Sequence, residues 1–192
     1  MTTQRWIFVR HGESVANAAG WLAGHRDARL TEKGERQARS VRRPLAATKA
    51  IRAFTSDLSR ARCTAEIALE GLDIPLVITP ELRERGLGEW EGLDKAKLRE
   101  SGELHIALTL PGRPPGGESL EDVATRAMAF LDSVDDGSGP TLVIAHGGLI
   151  RVVLGLLDGM PDDEIGTWNI RNTEILIRDL PEGAFARKLT VR

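Results

Sequence analysis

Trp6-Ile7-Phe8-Val9-Arg10-His11-Gly12-Glu13-Ser14 is an apolar run that stops at an arginine, a histidine and a glycine. Apolar residues in unbroken succession, without alternation, suit a central strand buried on both faces. A glycine directly after it lets the backbone turn or come close to a partner. The same order returns far downstream, where Thr141-Leu142-Val143-Ile144-Ala145 runs into His146-Gly147-Gly148. Two buried strands that each end in histidine and glycine predict an open sheet with a site at its carboxyl edge, where ligands sit in such sheets.

Working outward, β-like runs alternate with longer helix-like segments. Further strands are expected at Ile51–Ser56, Leu76–Thr79 and Glu174–Arg178, with Phe185–Val191 as an edge strand. Thr31 can cap a helix from Glu32, which Pro44 should end or bend. Ser59 or Asp57 can cap a helix to about Glu70, closed by Gly71, and Ser119 with Asp122 forms a capping-box pattern. The positions Leu120, Val123, Ala124, Ala127 and Leu131 then keep helical spacing, and Leu149–Leu157 is apolar almost all round, as in a buried helix. Gly86–Gly117 reads as loop with one short helix around Asp94–Ser101. The expected fold is α/β, a three-layer sandwich with a mostly parallel central sheet and helices on both faces, formed as a single domain over residues 1–192.

Composition narrows the function classes. The 192 residues carry 26 Lys+Arg against 28 Asp+Glu, a formal net charge of −2, with 41% hydrophobic and 28% charged residues. That balance suits a globular chain and argues against a dedicated nucleic-acid or anionic-membrane binder. Apolar stretches stay far below the ~20 residues of a spanning helix. The N-terminus lacks signal-peptide features, so a cytoplasmic location is expected. The one cysteine, Cys63, cannot form an internal disulfide. Lysine occurs at 33, 49, 95, 97 and 188 only, and arginine supplies the rest of the basic charge; guanidinium forks match phosphate oxygens better than ammonium groups do.

Three more positions bear on chemistry. Arg60 falls in the first turn of the helix after Phe54–Ser56, beside free backbone N–H groups, which is a natural anion site. Glu84 follows the Leu76–Thr79 strand as a lone acid between Arg83 and Arg85. Each of these, met singly, reads as an ordinary solvated or core residue. Their joint order is what carries weight.

Arg10-His11-Gly12-Glu13-Ser14 with Asn17, Leu30-Thr31-Glu32-Lys33-Gly34, Ser56-Asp57-Leu58-Ser59-Arg60-Ala61, Glu84-Arg85, Pro115-Gly116-Gly117-Glu118-Ser119 and Ala145-His146-Gly147-Gly148 together resemble the histidine phosphatase superfamily, in its phosphoglycerate mutase-like branch. The motifs run in family order from residue 6 to about 155, and the tail from Met160 adds little. The resemblance implies a histidine acid phosphatase-type phosphoric monoester hydrolase with His11 as nucleophile, carrying a phosphohistidine intermediate. It implies that Arg10, Arg60 and His146 surround the transferring phosphoryl group and that Glu84 serves as acid and base. Asn17, Gly24 and Gly147 are implied contacts to phosphate or substrate. The implied partner is a small-molecule phosphomonoester, with no cofactor, no metal, no nucleic acid and no membrane. No feature fixes an oligomeric state, and a homodimer is the assembly to look for.

Other phosphate machineries are absent: there is no Gly-Lys dipeptide for a Walker loop, no His-Glu-x-x-His, and Cys63 is followed six residues on by Leu69 rather than arginine. Within the family, Leu87 stands where mutases have tyrosine, the chain has no tyrosine, and its Arg-Arg doublet, Arg42-Arg43, lies upstream of Glu84. Hydrolysis is therefore expected, with a mutase-type isomerase as the alternative and a non-catalytic phospho-ligand module as a third reading. The pocket wall should come from Gly86–Pro115 and the loop near Trp21–Arg29; His105 and Arg113 in that segment read first as solvated loop positions, with contact to a second charged group as the other reading.

Overall fold

The structure, a computed structural model, describes residues 3–189. Five strands, β1 (Thr3–Arg10), β2 (Arg52–Ser56), β3 (Leu76–Thr79), β4 (Thr141–Ala145) and β5 (Ile175–Pro181), form one sheet in the order β3-β2-β4-β1-β5. All neighbours run parallel except β5, which pairs antiparallel with β1. The α-helices are α1 (Val15–Ala19), α2 (Glu32–Ala47), α3 (Ser59–Leu69), α4 (Lys95–Glu100), α5 (Leu120–Ser133), α6 (Gly147–Asp158), α7 (Asp162–Thr167) and α8 (Ala184–Leu189).

The two apolar runs behave as central strands because both faces of the sheet are covered. Successive side chains of a strand point to opposite faces. Trp6 and Phe8 enter the cluster built with α5 and α6, whereas Ile7 and Val9 enter the cluster built with α2 and α3. All four are fully buried, and each such side chain contributes about 1.5–3 kcal/mol by leaving water. Helix α5 starts on the expected capping box, Ser119 Oγ accepting from the Asp122 N–H and Asp122 accepting from the Ser119 N–H. Its positions Leu120, Val123, Ala124, Ala127 and Leu131 are buried. The short helix around Asp94–Ser101 is α4, capped by Asp94.

Three expectations are corrected. Phe185–Val191 is not an edge strand: the segment forms α8 through Leu189, with Val191 outside the described residues. Phe185 meets Trp6 edge-on at 4.9 Å, and the Asp135 and Asp132 carboxylates accept from the N–H groups of Gly183 and Ala186, near the helix start. Those partners come from the end of α5 and turn a short ambiguous run into helix. Pro44 does not end α2, which continues to Ala47. Pro44 and Ser40, whose carbonyl loses its helical donor, both lie on the exposed face, where water can replace the bond. Neither Ser59 nor Asp57 caps α3. Leu58 is at the cap without a side-chain bond, Asp57 pairs with Arg83 at 2.5 Å, and Asp27 from a distant loop accepts from both the N–H and the hydroxyl of Ser59.

Candidate active site

Strand register brings the two histidines together. Arg10 of β1 is paired with Ala145 of β4, so the next residue of each strand leaves the sheet at the same level. The His11 N–H donates to the Ala145 carbonyl at 2.9 Å, and the two imidazoles lie 5.2 Å apart, edge to face. β2 is the other neighbour of β4 and leads into α3, whose first turn carries the buried Arg60. Thr64 of α3 ties this helix to the first loop by accepting from the Gly12 N–H. Gly12 must lack a side chain there, since a Cβ would stand 2.4 Å from the Gly34 carbonyl oxygen.

The protonation state of His11 follows from one hydrogen bond. Its Nδ1 lies 2.7 Å from the Gly12 carbonyl oxygen, which can only accept, so Nδ1 carries the proton and Nε2 keeps a free lone pair. Burial, reinforced by the Arg60 and Arg10 guanidinium groups, holds the ring's pKa well below the usual histidine value of 6.5. Burial, with Arg60 as the next cause, does the same for His146. Both rings therefore stay neutral in the folded protein at pH values where an unfolded chain protonates them. The unfolded state then binds more protons, so stability is present above 6.5 and is lost as pH falls below it. The expected slope is about 1.4 kcal/mol per pH unit for each histidine. Denaturant unfolding at pH 7.5 and 5.5 checks this, and curves of equal midpoint at both pH values would contradict it.

Arg10, His11, Arg60 and Glu84 line one cavity of about 770 Å³. Arg10 donates from Nη1 to the Ile170 carbonyl at 2.6 Å, and Arg60 from Nη2 to the Gly24 carbonyl at 2.7 Å, which fixes both guanidinium groups. Glu84 accepts from the N–H groups of Arg85 at 2.9 Å and Gly148 at 3.2 Å. A Cβ at Gly148 would stand 2.4 Å from the carboxylate. Behind it, the Glu84 carbonyl accepts from His25 Nε2 and from Arg126, and Glu118 accepts from the Gly86 N–H and from Arg126. The Pro115–Ser119 motif thus anchors the acid's loop.

His146 alone of the five does not line the cavity: it is fully buried beside His11, and neither ring nitrogen has a hydrogen-bond partner among the described residues. Asn17, Gly24 and Gly147 all line the cavity. Asn17 also accepts from the Ser14 N–H in the cap of α1 and from Asn172. Trp21 and Trp168 line the wall while Trp90 is buried. His105 reaches the cavity, but Arg113 pairs with Asp122 instead.

Residues 166–170 form part of the wall, and Asn172 donates to the His11 carbonyl. The polar residues of this tail form no recognisable pattern in the sequence. Arg85, which the sequence shows only as part of the Glu84-Arg85 motif and without a role, donates from its nitrogens to the carbonyls of Glu118, Ala107 and Gly112, and Arg151, which the sequence leaves unassigned, lines the cavity from α6. The isolated Arg-Glu-Arg run and an arginine within an apolar helix were the only signals for these two. Among the described residues no three His, Cys, Asp or Glu side chains group so as to hold a metal ion, and no helix is long and apolar enough to cross a membrane.

Comparison with known proteins agrees with this geometry. The family profile of the histidine phosphatase superfamily (branch 1) matches residues 6–190. The 2,3-bisphosphoglycerate-dependent phosphoglycerate mutase 2 of Gloeobacter violaceus is 34% identical, covering 97% of this chain and 90% of its own. The adenosylcobalamin/alpha-ribazole phosphatase of Salmonella typhimurium is 35% identical, covering 86% and 84%. Among solved structures, the mycobacterial glucosyl-3-phosphoglycerate phosphatase complexed with VO3 superposes with a TM-score of 0.83 at 27% identity, covering 91% of this chain and 92% of the other. With the matched profile spanning nearly every residue and the two strand-end histidines meeting at one sheet tip, the chain belongs to the histidine phosphatase superfamily, branch 1.

Proposed function

We propose that the protein is a metal-independent phosphomonoesterase for small phosphorylated metabolites, working through phosphohistidine. The observation that carries this reading is His11 itself: a neutral imidazole with Nδ1–H on the Gly12 carbonyl and Nε2 bare, between two arginines. In the first step His11 Nε2 bonds to phosphorus as the ester P–O bond breaks, and protonated Glu84 gives its proton to the leaving oxygen. In the second, Glu84 takes a proton from water as the water oxygen bonds to phosphorus; the P–N bond breaks and inorganic phosphate leaves.

Arg10 and Arg60 hold the equatorial oxygens, where the charge of the transition state resides. His146, set back from the cavity with its ring 5.2 Å from that of His11, backs the nucleophile. Asn17, Gly24 and Gly147 contact the phosphate or the rest of the substrate. The two guanidinium groups neutralise the phosphoryl dianion, so the scheme calls for no metal.

The mutase reading draws support from the Gloeobacter relative. Leu87 on the cavity wall, at the mutase tyrosine position, weighs against it, as does the absence of tyrosine from the whole chain. The test is to quench turnover of a simple phosphoester and assay acid-labile, alkali-stable phosphoenzyme, then to supply 3-phosphoglycerate with a 2,3-bisphosphorylated primer. Phosphohistidine, free phosphate and a rate unchanged by EDTA are expected. Isomer formation outpacing phosphate release would make the protein a mutase, and failure to trap any phosphoenzyme would leave a binding module.

A further inference from the structure

The hydrogen bond that leaves His11 Nε2 bare has its acceptor on the residue type with the freest backbone. Glycine turns through φ and ψ more readily than any other residue. If Gly12 swung its carbonyl away from Nδ1, nothing in that bond would favour one tautomer of the imidazole over the other. The two peptides that flank Gly12 are instead held at all four of their polar ends.

In the His11–Gly12 peptide, the carbonyl accepts from Asn172 Nδ2 at 2.9 Å and the N–H donates to Thr64 Oγ1 at 3.0 Å. The Thr64 hydroxyl gives its own proton to the Arg60 carbonyl at 2.6 Å, so it meets Gly12 with a lone pair. In the Gly12–Glu13 peptide, the carbonyl accepts from His11 Nδ1 at 2.7 Å and the N–H donates to Gln37 Oε1 at 2.8 Å. A trans peptide is a rigid plate whose C=O and N–H point in opposite directions, so fixing the Glu13 N–H aims the Gly12 oxygen. Donation through that N–H also polarises the peptide and makes its oxygen a better acceptor.

Both of the amide side chains are brought to this loop by structure that holds them there. Gln37 is half-buried on α2, and the cap of that helix is tied to the same loop by the Thr31 N–H, which donates to the Glu13 carbonyl at 2.9 Å. Asn172 precedes Thr173, whose φ of 57° lies in the left-handed region, disfavoured for a β-branched residue. The Thr173 N–H donates to the Arg10 carbonyl at 2.9 Å and keeps this turn against β1. Neither Gln37 nor Asn172 lines the 770 Å³ cavity, so neither meets the substrate.

We propose that Gln37 is a positioning residue for phosphoryl transfer: through the Gly12–Glu13 peptide it fixes the tautomer of His11 and the direction of its lone pair, with Asn172 as its counterpart on the preceding peptide. The consequence for rate rests on the phosphohistidine reading. The consequence for the imidazole is a property of the resting protein and does not.

The test follows both in Gln37→Leu, which removes the acceptor. In protein labelled with 15N-histidine at pH 7.5, the His11 signals are identified by their loss in His11→Ala. Wild type should show a protonated Nδ1 and a bare Nε2, and Gln37→Leu a mixture of the two tautomers. With phenyl phosphate, kcat should fall about ten- to a hundredfold while KM stays within about threefold, because Arg10 and Arg60 keep their anchors. Gln37→Glu, which keeps an oxygen at the same reach, should restore the wild-type spectrum and at least about a third of its kcat. Should Gln37→Leu fail to fold, Asn172→Asp, which loses the donor at nearly the same size, should move the same two readouts. A folded Gln37→Leu that leaves either the His11 spectrum or kcat as in wild type overturns the proposal. So does a Gln37→Glu as slow as Gln37→Leu. If wild type yields no trapped phosphoenzyme, the phosphomonoesterase reading fails, and the spectra alone then decide whether Gln37 sets the tautomer.

Discussion

Replacing His11 with alanine is expected to lower kcat by about three orders of magnitude or more on every phosphomonoester, because it removes the imidazole lone pair held beside Arg10 and Arg60 at the sheet tip; His105, the other histidine on the cavity wall, is tied to the Gly102 carbonyl on the far segment. His25 donates its Nε2 proton to the Glu84 carbonyl, and His146 stands behind the cavity wall. The fold should survive, since the ring's hydrogen bond goes to the adjacent residue, Gly12, and the strand bond from the His11 N–H to Ala145 belongs to the backbone. A second readout tests the same residue without activity. His11→Ala removes one of the two histidines kept neutral by burial, so the loss of stability below pH 6.5 should lessen by about 1.4 kcal/mol per pH unit. Residual turnover above a few per cent would move the nucleophile elsewhere. An unchanged pH slope would mean that His11 is not held neutral.

Glu84→Gln should divide substrates by their leaving group. Alkyl phosphates depart as strongly basic alkoxides and need the proton, so their phosphoenzyme formation should slow by about 10²–10⁴. An activated aryl phosphate departs without help, and its first step should slow by less than about tenfold. The second step still needs a base for water, so the aryl substrate should give a burst of phenol equal to the enzyme present, followed by slow turnover. Glutamine preserves the size of the group and keeps one of the two N–H bonds that the Glu84 oxygens receive from Arg85 and Gly148; the loss of the other falls on both substrates alike, so the difference between them reports proton transfer. Equal losses on both substrates, with no burst, would remove Glu84 from acid–base chemistry.

Much of the sheet was legible because its signals are local. Unbroken apolar runs at Trp6–Val9 and Leu142–Ile144 mark strands buried on both faces, and the carboxyl ends of parallel strands point to the site. The capping box at Ser119 and Asp122 closes over a few residues, so its residue types suffice. Phe185 falls in a helix rather than the expected strand for the opposite reason. Its run is too short to carry a period, and carboxylates of Asp132 and Asp135 decide that it becomes helix. Asp27 replaced the local candidates at the start of α3 in the same way.

For the candidate site the division is similar. Strand ends and a helix start singled out His11, His146 and Arg60, and the resemblance carried by the ordered motifs joined Arg10 and Glu84 to them and implied the role of each. That Nδ1 rather than Nε2 holds the His11 proton, that His146 is set back from the cavity, and that Arg151 lines it from α6 are tertiary facts. Apolar burial and capping act over a few neighbours and can be read in order along the chain. The environment of a charge depends on which distant backbone the strand register and packed helices bring within a few ångströms of it, and that is decided only when the chain has folded.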